Sequence, residues 1–383
     1  MILLLSLLLP LWVEPAVCLE DNTIFTFEGN MRHLAVAPDG VYIATEEKLY
    51  QLSHNLTLLH CLTLRSSSGG EVQGHPSLHC ASKEEFTVNV LLPFVNNETL
   101  ISCGVADNSQ GYCEVLELKN ISKLLHSEQI QVGPLAHSSA SISLLVELEK
   151  NPPHEKTYIL TAIQQDKNTN PSSDSKTINL QNTLESQYGG IFALNAEQGS
   201  TPVIKNKGSV EFVDGFQINK TIYLLSNVVL DKTNKVRLVW LKASTSKAET
   251  LGSLEAATLN EGSRLLASSV VPGGEQVLWS GVFCMDRGQT NTQLVLFDIS
   301  PPVNNNADKE PDFYYKNPAN SQNERKRGAM VVLYKQNSMT SVLAVRQKNW
   351  MVFFVGTADE QLIKLVVSQK HERPLPQSAL QSQ

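Results

Sequence analysis

His75 and His79, four residues apart in HPSLHC, form a pair whose spacing could do chemistry. On a helix that interval turns two imidazoles toward one metal ion. Pro76 and the adjoining Cys80 read instead as a loop, and the glutamate that acts as base on a zinc-protease helix is missing, so no metal site is expected. Asp107, Asn108 and Ser109 in VADNSQGYC look like a fragment of a calcium loop. Such a loop alternates oxygen ligands over about twelve residues and ends on a bidentate carboxylate, so a turn explains these residues better. Neither a Gly-x-Ser-x-Gly elbow, a Gly-rich phosphate loop nor a Cys-x-x-Cys pair occurs, which leaves the hydrolase, nucleotide and zinc signatures absent. Glycoside cleavage needs two carboxylates flanking the scissile bond. Acidic residues are spread along this chain, and nothing singles out two of them. The residues therefore assign no catalytic group, no cofactor and no small-molecule substrate.

The amides and thiols say more. The opening residues, MILLLSLLLPLWVEPAVCLED, hold an apolar stretch broken by Pro10, then Ala16-Val17-Cys18, a small-residue pattern suited to signal-peptidase cleavage. Residues 1–18 read as a secretory signal, too short to cross a bilayer. No later stretch approaches the roughly 20 apolar residues a membrane helix needs. Inside the secretory lumen, Asn-x-Ser/Thr triplets become glycan acceptors. Four qualify: Asn55 (NLT), Asn97 (NET), Asn120 (NIS) and Asn219 (NKT), while Pro171 disqualifies Asn170. The same compartment favours disulfides. Loss of the signal removes Cys18 and leaves Cys61, Cys80, Cys103, Cys113 and Cys284. Two local bridges, Cys61 to Cys80 and Cys103 to Cys113, are the simplest reading, since each closes a loop containing turn formers (SSSGG and ADNSQG). Spacing alone allows three pairings of these four. Each short loop restricts the unfolded chain by about 3 kcal/mol in the entropy model. Cys284, after Val282 and Phe283, reads as a buried, unreactive thiol.

The 383 residues are 42% hydrophobic and 18% charged, enough to build a core. A formal net charge of -7 provides no basic footprint for nucleic acid. The one basic run, Arg325-Lys326-Arg327, lies in a polar stretch and reads as a solvated loop.

What positions these groups is a set of strands. Helical periodicity is scarce, and short apolar or alternating runs bounded by Gly, Asn, Asp and Ser are common. Expected strands include TIFTF (23–27), VYIAT (41–45), KLYQL (48–52), TLISC (99–103), CEVLEL (113–118) and TYILTAI (157–163). GIFALN (190–195), TIYLLS (221–226), VRLVWLK (236–242), QVLWSGVF (276–283), QLVLFDI (293–299) and MVFFVGT (351–357) follow. Short helical turns are expected at Asn120 to Ser127 and after Pro301. The chain is all-β, and its strands fall into groups of three or four that cannot bury both faces alone. Radial packing into a β-propeller answers that problem, and there are too many strand groups for one sandwich. Polar inserts at 164–187 and 301–328 read as loops on a rigid scaffold.

Several stretches resemble the sema domain of plexins and semaphorins, and the plexin branch more closely. They are RHLAVAPDGVYIATEEKLYQLSHNLTLL, CLTLRSSSGG with LHC, LISCGVADNSQGYCEVLEL, GSVEFVDGFQINKTIYLL and VGTADEQLIKLVV. The resemblance runs over about residues 20–367, and Ser253 to Ser300 look most like class C plexins. It implies a seven-bladed sema propeller over residues 19–367, incomplete at its C-terminal part, followed by a polar, disordered tail at 368–383. It also supports the two cysteine bridges. It further implies a non-catalytic, extracellular semaphorin-binding domain of a type I cell-surface receptor in axon or cell guidance, with a class 7 or viral semaphorin as partner. Ligand contacts would fall between about residues 140 and 280, with no individual residue assigned. A secreted carbohydrate-active propeller enzyme is the alternative. Glu360 departs from the family pattern, which has Gly after Asp359. A turn needing positive φ is strained by Glu, so a different turn with Asp359 left-handed is expected.

Overall fold

The computed structural model describes residues 25–64, 81–82, 86–106, 109–134, 141–149, 156–163, 178–184, 190–193, 209–230, 232–273, 276–285, 290–300 and 330–368. Six antiparallel meanders follow one another along the chain. Sheet one contains β1 (Met31–Ala37), β2 (Gly40–Thr45), β3 (Lys48–Leu52), β4 (Leu58–Thr63) and the short β5 (Ala81–Ser82), which pairs parallel to β4. Sheet two holds β6 (Phe86–Phe94), β7 (Thr99–Ala106), β8 (Gly111–Glu117) and β9 (Asn120–Glu128). Sheet three holds β10 (Ile142–Leu148), β11 (Lys156–Ala162) and β12 (Ile178–Asn182). Sheet four holds β13 (Ser209–Ile218), β14 (Thr221–Leu230), β15 (Thr233–Lys242) and β16 (Glu255–Glu261), with helix α1 (Lys247–Gly252) before its last strand. Sheet five holds β17 (Arg264–Val270), β18 (Leu278–Cys284), β19 (Asn291–Asp298) and β20 (Met330–Asn337). Sheet six holds β21 (Met339–Gln347), β22 (Trp350–Thr357) and β23 (Leu362–Ser368).

The first strand of each sheet packs on the first strand of the next, from β1 through β6, β10, β13 and β17 to β21. These six sheets are successive blades of a β-propeller. Period-two alternation explains why the middle strands of sheets two to five read as continuous apolar runs: each divides its side chains between two neighbouring sheets. On β14, Ile222, Leu224 and Val228 enter the core shared with sheet three, while Tyr223 and Leu225 enter the core shared with sheet five. On β15, Val239 and Leu241 face the first core, and Val236, Leu238 and Trp240 the second. Five of the six inner strands carry a bulge against their neighbour, at Met31/His33, Val88/Val90, Phe212/Asp214, Leu265/Ala267 and Met339/Ser341. A bulge adds local twist, and its recurrence at one place marks the sheets as structural repeats despite divergent sequences.

Side-chain amides clasp the blades together. Gln51, 1% exposed, donates to the Leu118 carbonyl at 3.0 Å and accepts from Ile121 N–H at 3.2 Å, joining sheets one and two. Gln217 joins sheets four and three in the same two-point manner through Glu147 N–H and C=O, both at 2.8 Å. Asn227 joins sheets four and five through Leu265 N–H and C=O, again at 2.8 Å. An amide offers one donor side and one acceptor side, so it can satisfy a backbone unit as a strand would.

Four expected elements are corrected. The polar insert at 164–187, read as a loop, contains strand β12 at Ile178–Asn182, which pairs with β11 and sends Ile178 and Leu180 into the core shared with sheet four. Asn120 to Ser127 is strand, not a helical turn, because β9 supplies the ladder for the outer edge of β8. Phe25 to Phe27 form no strand; Phe25 and Phe27 pack on the ring of Tyr50 instead, at centroid distances of 5.4 and 6.4 Å. Gly190 to Ala193 make a turn, with Phe192 at φ 64° and its N–H donating to Asn182 C=O at 2.9 Å. Residues 1–18, 369–383 and the insert at 301–328 lie outside the described residues.

Candidate functional site

A broad groove lies at the ends of the inner strands of sheets two, three and four. Pro93, Phe94, Val95 and Asn96 form one wall, and Leu145, Glu147, Thr157, Gln217 and Asn219 form the other, around about 420 Å³. A second hollow of about 430 Å³ continues past Glu147 and Gln217 to Glu149, Lys220 and Ala243. The Glu147–Gln217 clasp forms the shared floor, and Gln217 also donates to the Asn219 carbonyl at 3.0 Å. Lys220 pairs with Glu149 at 2.5 Å. The groove thus offers an apolar lip of Pro, Phe and Val facing amides, a hydroxyl and a carboxylate. Such a lining suits recognition of a mixed polar surface.

Two carboxylates stand on the groove wall, and Glu149 is already engaged by a cation. The carboxyl that burial does push up, Asp214 on β13, to about 6, lies elsewhere, against the Ser268 hydroxyl of sheet five and the Gly215 N–H. His33, after the bulge of β1, is shifted the other way: desolvation lowers its pKa, and the Val88 backbone and Arg32 modify the effect. Among the described residues no cluster of three His, Cys, Asp or Glu side chains could hold a metal. His75, His79, Asp107, Asn108 and the Arg325–Arg327 run fall outside those residues.

The cysteines are structural. Cys103 and Cys113 sit directly opposite on β7 and β8, with Cα atoms 4.1 Å apart, and are joined in the core between sheets two and three. Cys61 on β4 is also disulfide-bonded, and Cys80 lies outside the described residues. Cys284 on β18 is a buried thiol.

The four sequon asparagines all occupy hairpin turns. Asn55 follows β3, Asn97 ends a 3₁₀ turn between β6 and β7, Asn120 begins β9, and Asn219 turns β13 into β14 with φ 51°. Asn55, Asn97 and Asn219 are exposed; Asn120 is half-buried, its Oδ1 accepting from Ser122 N–H at 3.0 Å.

Sequence reasoning singled out cysteines and asparagines but missed Gln51, Gln217, Asn227 and Asp214. The available signal was a polar residue interrupting an apolar strand, as in KLYQL and DGFQI. That signal does not say which backbone the side chain will meet.

Six meanders, five of them bulged on the inner strand, with a disulfide across β7 and β8 form a sema-type, plexin-like propeller fold, and comparison of folds agrees. Two structures of the full extracellular region of plexin A4 superpose on 88% of this chain, each with TM-score 0.64 and 17% identity. The chain spans only 45% and 35% of those two chains. No family model and no curated protein matches the sequence. Among the described residues no helix is long and apolar enough to cross a membrane.

Proposed function

We propose that this chain is an extracellular, non-catalytic recognition domain of plexin type that binds a semaphorin. The observation that carries the reading is the match of 88% of the chain to the plexin A4 extracellular region at TM-score 0.64. Fold alone does not assign function, and the sequence supports the same direction from different evidence: a secretory signal, four glycan acceptors and paired cysteines. The groove across sheets two to four lies partly within the span where the plexin resemblance places ligand contacts. The finer reading is a class C plexin with a class 7 or viral semaphorin as ligand, contributing to axon or cell guidance. Glycans on Asn55, Asn97, Asn120 and Asn219 and a Cys61–Cys80 bridge belong to the same reading.

The test is direct binding of the purified, folded chain and of a full plexin ectodomain, side by side, to a class 7 semaphorin ectodomain by surface plasmon resonance. Saturable binding by both is expected. Binding by the ectodomain alone overturns the proposal for this chain.

A further inference from the structure

The four sequons stand in turns of three different sheets, far apart in sequence, and topology puts them together. In an antiparallel meander the first and third turns leave at one end of the strands and the second turn at the other. Asn97 and Asn219 occupy first turns; Asn55 and Asn120 occupy third turns. Contacts between sheets show that these ends coincide. His54 Nε2, beside Asn55, lies 3.0 Å from the Pro38 carbonyl in the first turn of sheet one. Gln51, at the end of β3, bonds Leu118 and Ile121, which flank Asn120. Leu118 N–H in turn donates to Glu98 C=O at 2.8 Å, and Lys119 pairs with Glu98 at 2.7 Å, tying the Asn120 turn to the Asn97 turn. Finally Asn96 and Asn219 line one cavity. A continuous path of contacts therefore runs from Asn55 through Asn120 and Asn97 to Asn219 along a single face of the ring.

The opposite face carries the second turns and the links between sheets, with the partly exposed ion pairs Arg32–Glu46, Lys235–Glu261 and Arg264–Glu211. No Asn-x-Ser/Thr triplet falls there; the whole sequence has only these four.

We propose that N-linked glycans on Asn55, Asn97, Asn120 and Asn219 make this one face of the propeller a carbohydrate layer, so that protein partners meet the opposite face or the rim. N-linked glycans are bulky and strongly hydrated, and four of them on adjoining turns prevent a flush protein contact. The groove between Asn97 and Asn219 is on the covered face and is roofed by sugar. The inference rests on the secretory reading of the chain and would redirect the search for semaphorin contacts away from the groove mouth.

The experiment uses the full chain secreted from mammalian cells with high-mannose glycans. Glycopeptide mass spectrometry measures occupancy at each asparagine, and hydroxyl-radical footprinting is run before and after endoglycosidase treatment of the folded protein. Occupancy at three or more sites is expected. Val95, which is exposed beside Asn97, should gain reactivity at least threefold on sugar removal, while Met31 and Leu362, exposed on the far side, stay unchanged. The same trimmed and untrimmed samples, tested on a class 7 semaphorin ectodomain, should bind equally within twofold. Unmodified sequons, reactivity gained on both faces, or a tenfold change in affinity on trimming each overturn the proposal. Absence of binding in both samples bears on the semaphorin reading, and the occupancy and footprint results decide this one independently.

Discussion

Two hairpins of this protein share a local pattern and differ in what covers them. In β2–β3 the turn is organised by Thr45, whose Oγ1 accepts from the N–H groups of Glu47 and Lys48 at 3.3 and 3.0 Å. In β22–β23 the same work is done by Thr357, whose Oγ1 accepts from Gln361 N–H at 3.1 Å and contacts Asp359. The first hairpin is covered on both sides: Tyr42, Ala44 and Leu49 pack into the core with sheet two, and Ile43, Tyr50 and Leu52 pack under Phe25 and Phe27. The last is covered on one: Val342, Phe353, Val355 and Leu365 pack toward sheet five, whereas Leu343, Val345, Leu362 and Val366 share an exposed face. Turn chemistry is local and makes the hairpin. Burial belongs to the neighbours, and it decides how much the hairpin contributes.

The largest expected effect breaks that comparison at its core. Leu49 is 1% exposed and Leu362 is 74% exposed. Leu49→Ala removes apolar contacts and leaves a cavity, costing about 3 kcal/mol; Leu362→Ala should stay within about 0.5 kcal/mol of wild type. Urea midpoints of the two variants measure the difference. Equal losses would falsify the assignment of stability to coverage.

Coverage also sets the penalty for a buried charge, which a pH scan exposes in sheet four. Desolvation raises Asp214 from 3.8 to about 6, with the Ser268 and Gly215 hydrogen bonds opposing the shift. Because the folded state holds this proton more tightly than the unfolded state, the associated stability is fully present below pH 4. It is lost as pH rises through about 6, amounting to about 2–3 kcal/mol. Asp214→Asn should lack that fall, so the wild-type and variant stability curves converge or separate across pH 4–7 by this amount. Parallel curves over the range would show that Asp214 is not the group responsible.

Of intermediate size is the clasp that ties the first hairpin to its neighbour. Gln51→Ala leaves Ile121 N–H without its partner in a buried setting, at a cost of about 1–3 kcal/mol. Native-state hydrogen exchange should show the loss first at the Leu118–Ile121 turn, with the β22–β23 amides unaffected. Uniform acceleration across the chain would point to a general loss of packing instead.

The same contrast separates what was legible in the sequence from what was not. Alternation and turn residues are short-range, so the strands of VYIAT, KLYQL and MVFFVGT and the all-β class could be read directly, while the Cys103–Cys113 bridge was the simplest of three pairings until the β7–β8 register set the two residues opposite each other. Asn120 to Ser127 was misjudged because NISKLLHSE has no clean period, and only the free edge of β8 makes it a strand. Gln51, Gln217 and Asn227 were silent because each meets backbone 38 to 70 residues away, a distance no local pattern encodes. The sequons were legible one by one, and their common face was not, since it follows from the order of turns within sheets.

The smallest expected effect concerns the residue that departs from the sema pattern. The anticipated escape, a left-handed Asp359, does not occur: Glu360 itself adopts φ 64°. Its N–H donates to Thr357 C=O at 3.2 Å, and Thr357 N–H donates to Gln361 C=O at 3.1 Å, so the bonds of the turn hold the glutamate in the left-handed region. Left-handed backbone costs a non-glycine residue about 1–2 kcal/mol, and glycine escapes that cost while losing more freedom on folding. Glu360→Gly should therefore stabilise the protein by about 0.5–1 kcal/mol, whereas β-branched Glu360→Val should destabilise it by about as much, both read as shifts in urea midpoint. The exposed side of β23 adds no packing to obscure the result. If Glu360→Gly proves neutral or destabilising, the side chain must contribute to this turn in a way that its backbone geometry alone does not require.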